Sequence, residues 1–314
     1  MLPESEPLKG FCYGVVNEID QHGNRGLTWK QCHLFNAEEE EEILQAASIL
    51  HTFLSNLERL EATREAYTEF KNEMHGIQSD NRFNIARVDR RFRAYVMEWR
   101  LFLDHWKKYI DDGAQTKSWD DGEVKQQYIA DFQKLYVDIT TDAYENCSEY
   151  VIAYAIRNHV SHAANCIYAA HVGHDGNKVA ISRDALLSEH NVSASQREVI
   201  EKQEEYIDLE WVADGSMSAM QTVMETLIGY QIDYDVVNAT IALVGAYERI
   251  LKAGIDAHLW MYFGKQTPMN NGAIDIEYQK FDFDSYVTVA LYLKGLGVFE
   301  KAGKMQEVRT NEEQ

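Results

Sequence analysis

Between Pro7 and Pro268 the chain contains no proline. A run of that length is open to long helices, because proline removes a backbone donor and clashes with the preceding turn. Collagen-like, proline-rich and multi-linker architectures are excluded. Hydrophobic residues make up 45% and charged residues 26% of the 314, ordinary globular proportions that leave no room for wholesale disorder. At about 150 residues per domain, the length sets an expectation of two domains. No stretch of about 18 apolar residues occurs, and Met1–Glu6 is acidic without an apolar signal segment. A soluble, cytoplasmic protein without a membrane partner is therefore expected.

Fifty-one acids against 30 bases give a formal charge of −21. Sequence-independent binding to nucleic acid needs concentrated Lys and Arg, so only a local basic patch would serve that purpose. Cys12, Cys32, Cys147 and Cys166 show no C-x-x-C pairing, and without an export signal they are expected to be reduced.

Residues 11–35 have the alternation of a β-hairpin: Phe11, Tyr13 and Val15 in one arm, Leu27, Trp29 and Gln31 in the other. His22-Gly23-Asn24-Arg25-Gly26 supplies turn chemistry. Asn36 then reads as an N-cap, and Glu38–Glu42 suits the positive end of a helix dipole. Ile43, Ala47, Leu50, Leu54, Leu57 and Leu60 predict a helix to about His75, closed by Gly76. A second helix is predicted from after Asp80 to Asp112, ended by Gly113. Val88, Phe92, Tyr95, Trp99, Phe102, Leu103 and Trp106 form its apolar stripe. Residues 80–108 carry eight bases against four acids, a net of +4 inside an acidic chain. Arg87, Arg90, Arg91 and Arg93 are candidates to hold an RNA backbone; the competing reading is a solvated face paired with the acidic first helix. Further helices are expected at about 122–136, 141–166, from Ser195 past Trp211, and 234–263. Short strands are expected at 178–182 and 274–278, with a break at 171–177 and a polar end from Lys301.

P-loop, G-x-S-x-G and H-E-x-x-H motifs are absent. The segment Tyr150–His162 carries the chemistry. Tyr150, Tyr154, Asn158 and His162 recur at four-residue steps beside Arg157 and Ser161, while Ile152, Ile156 and Val160 form the core edge. A histidine titrating near neutrality and an arginine that stabilises phosphorane charge suit phosphodiester cleavage. Arg157-Asn158-x-x-x-His162 resembles the R-x(4–6)-H signature of the HEPN superfamily, many of whose members are metal-independent ribonucleases. Three Arg–His pairs in the chain have the required spacing, starting at Arg100, Arg157 and Arg183, but only Arg157 is followed by asparagine.

The resemblance covers about residues 37–170. It implies catalytic roles for Arg157 and His162, with Asn158 orienting its neighbours. It also implies a homodimer whose two motifs form one composite site. The expected fold is mainly α: an N-terminal β-hairpin extension (1–36), a HEPN-like antiparallel helical bundle (37–172) and a C-terminal mainly helical region (173–314). The expected function is endoribonuclease, a hydrolase of toxin–antitoxin, phage-defence or RNA-processing type. Its partners would be RNA, a second copy, and an antitoxin or regulatory protein. No cofactor is expected. His159, His162 and Cys166 share a helical face at steps of three and four, but His171 and His174 fall near the expected break, and no second cysteine pair or carboxylate–His motif supports a metal site. His159 is read as a core-edge histidine and Arg100 as a solvated arginine beside packing aromatics. The alternative function is a non-catalytic helical module for dimerisation or partner binding.

Overall fold

The computed structural model describes residues 9–19, 25–32, 35–76, 83–116, 122–160, 165–173, 176–253, 261–268 and 274–299. In chain order the elements are β1 (Lys9–Ile19), β2 (Arg25–Cys32), α1 (Ala37–Met74), α2 (Ile85–Thr116), α3 (Gly122–Asn146) and α4 (Ser148–Val160). There follow β3 (Ala169–Gly173), β4 (Gly176–Ser182), α5 (Arg183–Leu187), α6 (Ala194–Glu201) and β5 (Tyr206–Asp208). The last are α7 (Leu209–Tyr230), α8 (Tyr234–Lys252), β6 (Met261–Pro268), β7 (Ile274–Phe281) and α9 (Phe283–Gly295). The protein is mainly helical.

Contacts divide it into two compact units, Met1–Leu54 with Ile232–Gln314, and Ser55–Gln231. These divisions fall elsewhere than 36 and 172. Helix α1 is unbroken and contributes to both units, and the chain returns to the first unit only after α7.

In the first unit an antiparallel sheet has the order β2-β1-β6-β7. Val15 pairs with Thr28 on one side of β1 and Tyr13 with Met261 on the other. Residues 20–24, most of the expected turn, lie outside the described residues. Helix α8 ends at Lys252 rather than near Phe263. Pairing of Met261–Lys265 with β1 takes this aromatic segment into the sheet instead. The unit's core includes Leu50 and Phe53 of α1, Leu243 and Ile250 of α8, and Val289 and Leu293 of α9.

The second unit holds the candidate site. Glu73 meets Arg87, Glu69 meets Arg91, and Ser55 meets His105. Partners thus descend α1 as they ascend α2, so the two helices are antiparallel here. Tyr136 reaches the Leu103 carbonyl and Phe132 stacks edge-on against Trp106, which makes α2 and α3 antiparallel as well. The expected apolar stripes of α1 and α2 are buried. Gly76, at φ +64°, takes the left-handed conformation past the end of α1, whereas Gly113 lies inside α2.

The chain does not break between 136 and 141 as expected, but at Cys147. There the thiol sulfur stands in for an N-cap oxygen and accepts from the Tyr150 N–H at 3.4 Å. Helix α4 packs against α7, α2, α6, α3 and α5. Its contact with α7 is close at Gly215, where an added Cβ would lie 2.7 Å from the Glu149 Cβ. The expected break at 171–177 includes an antiparallel β3–β4 pairing with Gly173 opposite Gly176, and the expected strand at 178–182 is part of β4. Ser193 caps α6 in a reciprocal box with Gln196, two residues before the expected start at Ser195. A separate helix, α7, begins at Leu209 behind its own cap, Asp208.

Candidate functional site

Helix α4 brings the Arg157-Asn158 pair to one edge of the second unit. Val151, Ile152, Ala153, Ala155 and Ile156 are buried, as are Tyr150 and His159, so burial extends well beyond the single back face expected. Tyr154, Arg157, Asn158 and Val160 are half-buried and form the helix's accessible edge. The C-terminal turn, where the helix dipole is negative, favours a cation at Arg157.

The Arg157 guanidinium donates to Asn158 Oδ1 at 2.5 Å and lies 5.6 Å from the centre of the Tyr154 ring. Arg100 of α2 approaches that ring at 5.8 Å and donates to the Tyr154 hydroxyl at 3.4 Å. Its other terminal nitrogen pairs with Asp104 at 2.8 Å. Two cations therefore share one tyrosine, each contact contributing about 0.5–1 kcal/mol in a half-exposed setting. Burial, and after it the charge of Arg100, hold the Arg157 guanidinium below its ordinary range.

Tyr154 and Asn158 also line a cleft of about 580 Å³. Tyr136, Tyr144 and Tyr150 supply further aromatic surface, Arg100 a cation and Glu145 a carboxylate. Asn191, Ser193 and Gln196 add neutral polar groups. Burial pushes the Tyr136 and Tyr150 phenols upward, so both stay protonated near neutral pH. Trp99 lies behind them, 5.4 Å from Tyr150 and 6.1 Å from Tyr154 between ring centres.

His162 lies outside the described residues. His159 is 3% exposed; its Nδ1 is 2.7 Å from Glu189 Oε1, and its buried Nε2 meets no hydrogen-bond partner among the described residues. Cys166 does not lie on α4. Its backbone N–H and thiol both donate to Asp89 Oδ1, at 2.8 and 3.1 Å, and burial first and Asp89 second push the thiol upward. Cys166 lies in a bend and so shares no helical face with His159. Cys147 and Cys166 are free thiols. Among the described residues no group of three His, Cys, Asp or Glu is disposed to hold a metal ion.

The four α2 arginines do not form an open strip. Arg87 Nε lies 2.7 Å from Glu73, Arg93 Nε 2.8 Å from Asp89, and Arg91 donates to Glu69 at 2.6 Å. For Arg87 and Arg93 the contact is ionic, since Nε makes no well-aligned hydrogen bond. Arg90 is exposed and borders a smaller cleft of about 340 Å³ with Asn165 and Ile167. Pairing of Arg87 and Arg91 with α1 is the competing sequence reading of this face.

Arg100 is the residue that sequence reasoning placed wrongly. It follows the buried Trp99, so it flanks the α2 stripe, and a cation there can bend toward the neighbouring helix instead of into solvent. Comparison with protein-family models, curated proteins and solved structures finds no match for this chain. No helix among the described residues is long and apolar enough to cross a membrane.

Proposed function

We propose that the chain is a metal-independent endoribonuclease of HEPN type, with α1–α4 as the HEPN-like bundle and β1–β2 as its N-terminal hairpin. The observation that carries this reading is the pair of arginines, Arg100 and Arg157, gathered on Tyr154 at the edge of a tyrosine-rich cleft. With Asp104 balancing Arg100, the two arginines still make a cationic edge in a chain of −21, and such an edge suits an anionic ligand. Aromatic faces beside a phosphate-binding cation suit single-stranded RNA.

Arg157 holds the scissile phosphate and Asn158 fixes the guanidinium through its Oδ1. His162 of one copy takes the 2′-hydroxyl proton as the 2′-oxygen bonds to phosphorus. The bond from phosphorus to the 5′-oxygen breaks, and His162 of a second copy protonates that leaving oxygen. The products are a cyclic phosphate and a free 5′-hydroxyl. Biological roles in toxin–antitoxin, phage-defence or RNA processing, with an antitoxin or regulatory protein as a partner, belong to the same proposal.

A second reading, a non-catalytic helical module for dimerisation or partner binding, is favoured by the ion pairs that occupy Arg87, Arg91 and Arg93. The deciding experiment offers labelled RNA and its DNA counterpart to the protein in excess chelator. RNA alone should be cut, leaving cyclic phosphate ends, and His162→Ala or Arg157→Ala should slow the reaction by about 10²–10⁴-fold. Intact RNA at micromolar enzyme selects the binding module.

A further inference from the structure

The cleft contains one charged group that phosphate chemistry does not use. Glu145, in the last turn of α3, lines it and is exposed, and its carboxylate makes no hydrogen bond or ion pair among the described residues. A carboxylate there repels a phosphate, so its use lies with another part of the ligand. We propose that the cleft selects guanine: Glu145 accepts hydrogen bonds from the base edge while Arg100 faces the phosphate. This inference rests on reading the cleft as the substrate groove of a ribonuclease.

The cleft offers a cation, a carboxylate and tyrosine rings to one ligand. Arg100 lines the cleft from α2 and Glu145 lines it from α3. The half-buried Tyr144 and Tyr154 line the same cleft and offer ring surface on which a base can stack. Tyr144 is tied at the Glu145 end by its hydroxyl, 3.1 Å from Ser195 Oγ.

Donor and acceptor patterns then choose the base. An ionised carboxylate only accepts. Guanine presents two adjacent donors on its Watson–Crick edge, N1–H and the N2 amino group, one for each carboxylate oxygen. Adenine and cytosine place a ring-nitrogen acceptor beside their amino donor, which a carboxylate repels. Uracil offers one N–H between two carbonyl acceptors. Guanine is the base that meets both oxygens without a clash of lone pairs.

Calorimetric titration of the full chain with GMP, AMP, CMP, UMP and IMP tests this directly. GMP should bind roughly 10- to 100-fold more tightly than AMP, CMP or UMP, as expected for a two-bond contact. IMP, which lacks the N2 amino group, should fall between. Glu145→Gln replaces an exposed side chain with one of the same shape, and it should abolish the preference for GMP over AMP. Equal binding of the nucleotides, or a preference unchanged in Glu145→Gln, overturns the proposal. His162-dependent RNA cleavage with no bias toward guanine overturns it too while leaving the ribonuclease reading intact. Selective GMP binding without any RNA cleavage supports the guanine site and removes the nuclease.

Discussion

Two histidines three residues apart, His159 and His162, have different roles in the proposed mechanism, and His159 is the one among the described residues. Its imidazole is sealed between Glu189 and the exposed Tyr168 ring, 6.1 Å away between centres. A side chain so enclosed has no route to a bound phosphate, and its Nδ1 instead meets a carboxylate that is itself three-quarters buried. His159→Ala should therefore lower stability by roughly 2–4 kcal/mol, combining a cavity with the loss of Glu189's hydrogen-bond partner. A reduced urea midpoint with nearly unchanged cleavage per folded molecule is the expected result. If His159→Ala instead kept its midpoint and lost as much rate as His162→Ala, both imidazoles would belong to the chemistry.

Helix α2 shows where sequence periodicity is informative and where it stops. Its stripe from Val88 to Trp106 was legible because apolar side chains recur on a helical period, and all seven expected positions are buried. The same logic read α1 correctly. It failed at the α3–α4 junction, where a cysteine thiol rather than a glycine, proline or serine interrupts the helix. It also failed at β6, where pairing with a strand some 250 residues earlier decides the conformation. Within the candidate site, Arg157 and Asn158 were visible as neighbours in sequence. Arg100 was hidden because its meeting with Tyr154 is a tertiary contact between α2 and α4. The arginines of α2 were ambiguous for a related reason: sequence displays charges but not their partners. Glu73 is 3% exposed and lies against Arg87, so Arg87→Ala should leave a buried carboxylate short of a partner and cost about 3 kcal/mol. Thermal unfolding should show that loss, whereas the salt dependence of RNA affinity should stay as in the wild type. A flatter salt slope with unchanged stability would return Arg87 to the RNA backbone.

The whole chain carries −21, and this sets how a composite site can assemble. One copy brings a single Arg157–His162 motif, too few groups to supply base and acid together, so the mechanism requires a homodimer with the accessible edge of α4 near a two-fold axis. Two strongly acidic chains repel one another at long range, and salt screens that repulsion. Dimerisation should accordingly strengthen as salt rises from about 0.05 to 0.3 M, where the Debye length shrinks below 10 Å. RNA binding should move the other way, because each phosphate contact releases counterions. Sedimentation across this range should give a dimer mass at micromolar protein, while RNA affinity measured in parallel falls steeply. Cleavage at fixed saturating RNA should then rise with the dimer fraction, and the rate per chain should depend on protein concentration. A chain that stays monomeric throughout yet cuts RNA at a rate independent of its concentration would require the second proton-transfer group to come from within one copy. The composite site would then be the wrong description.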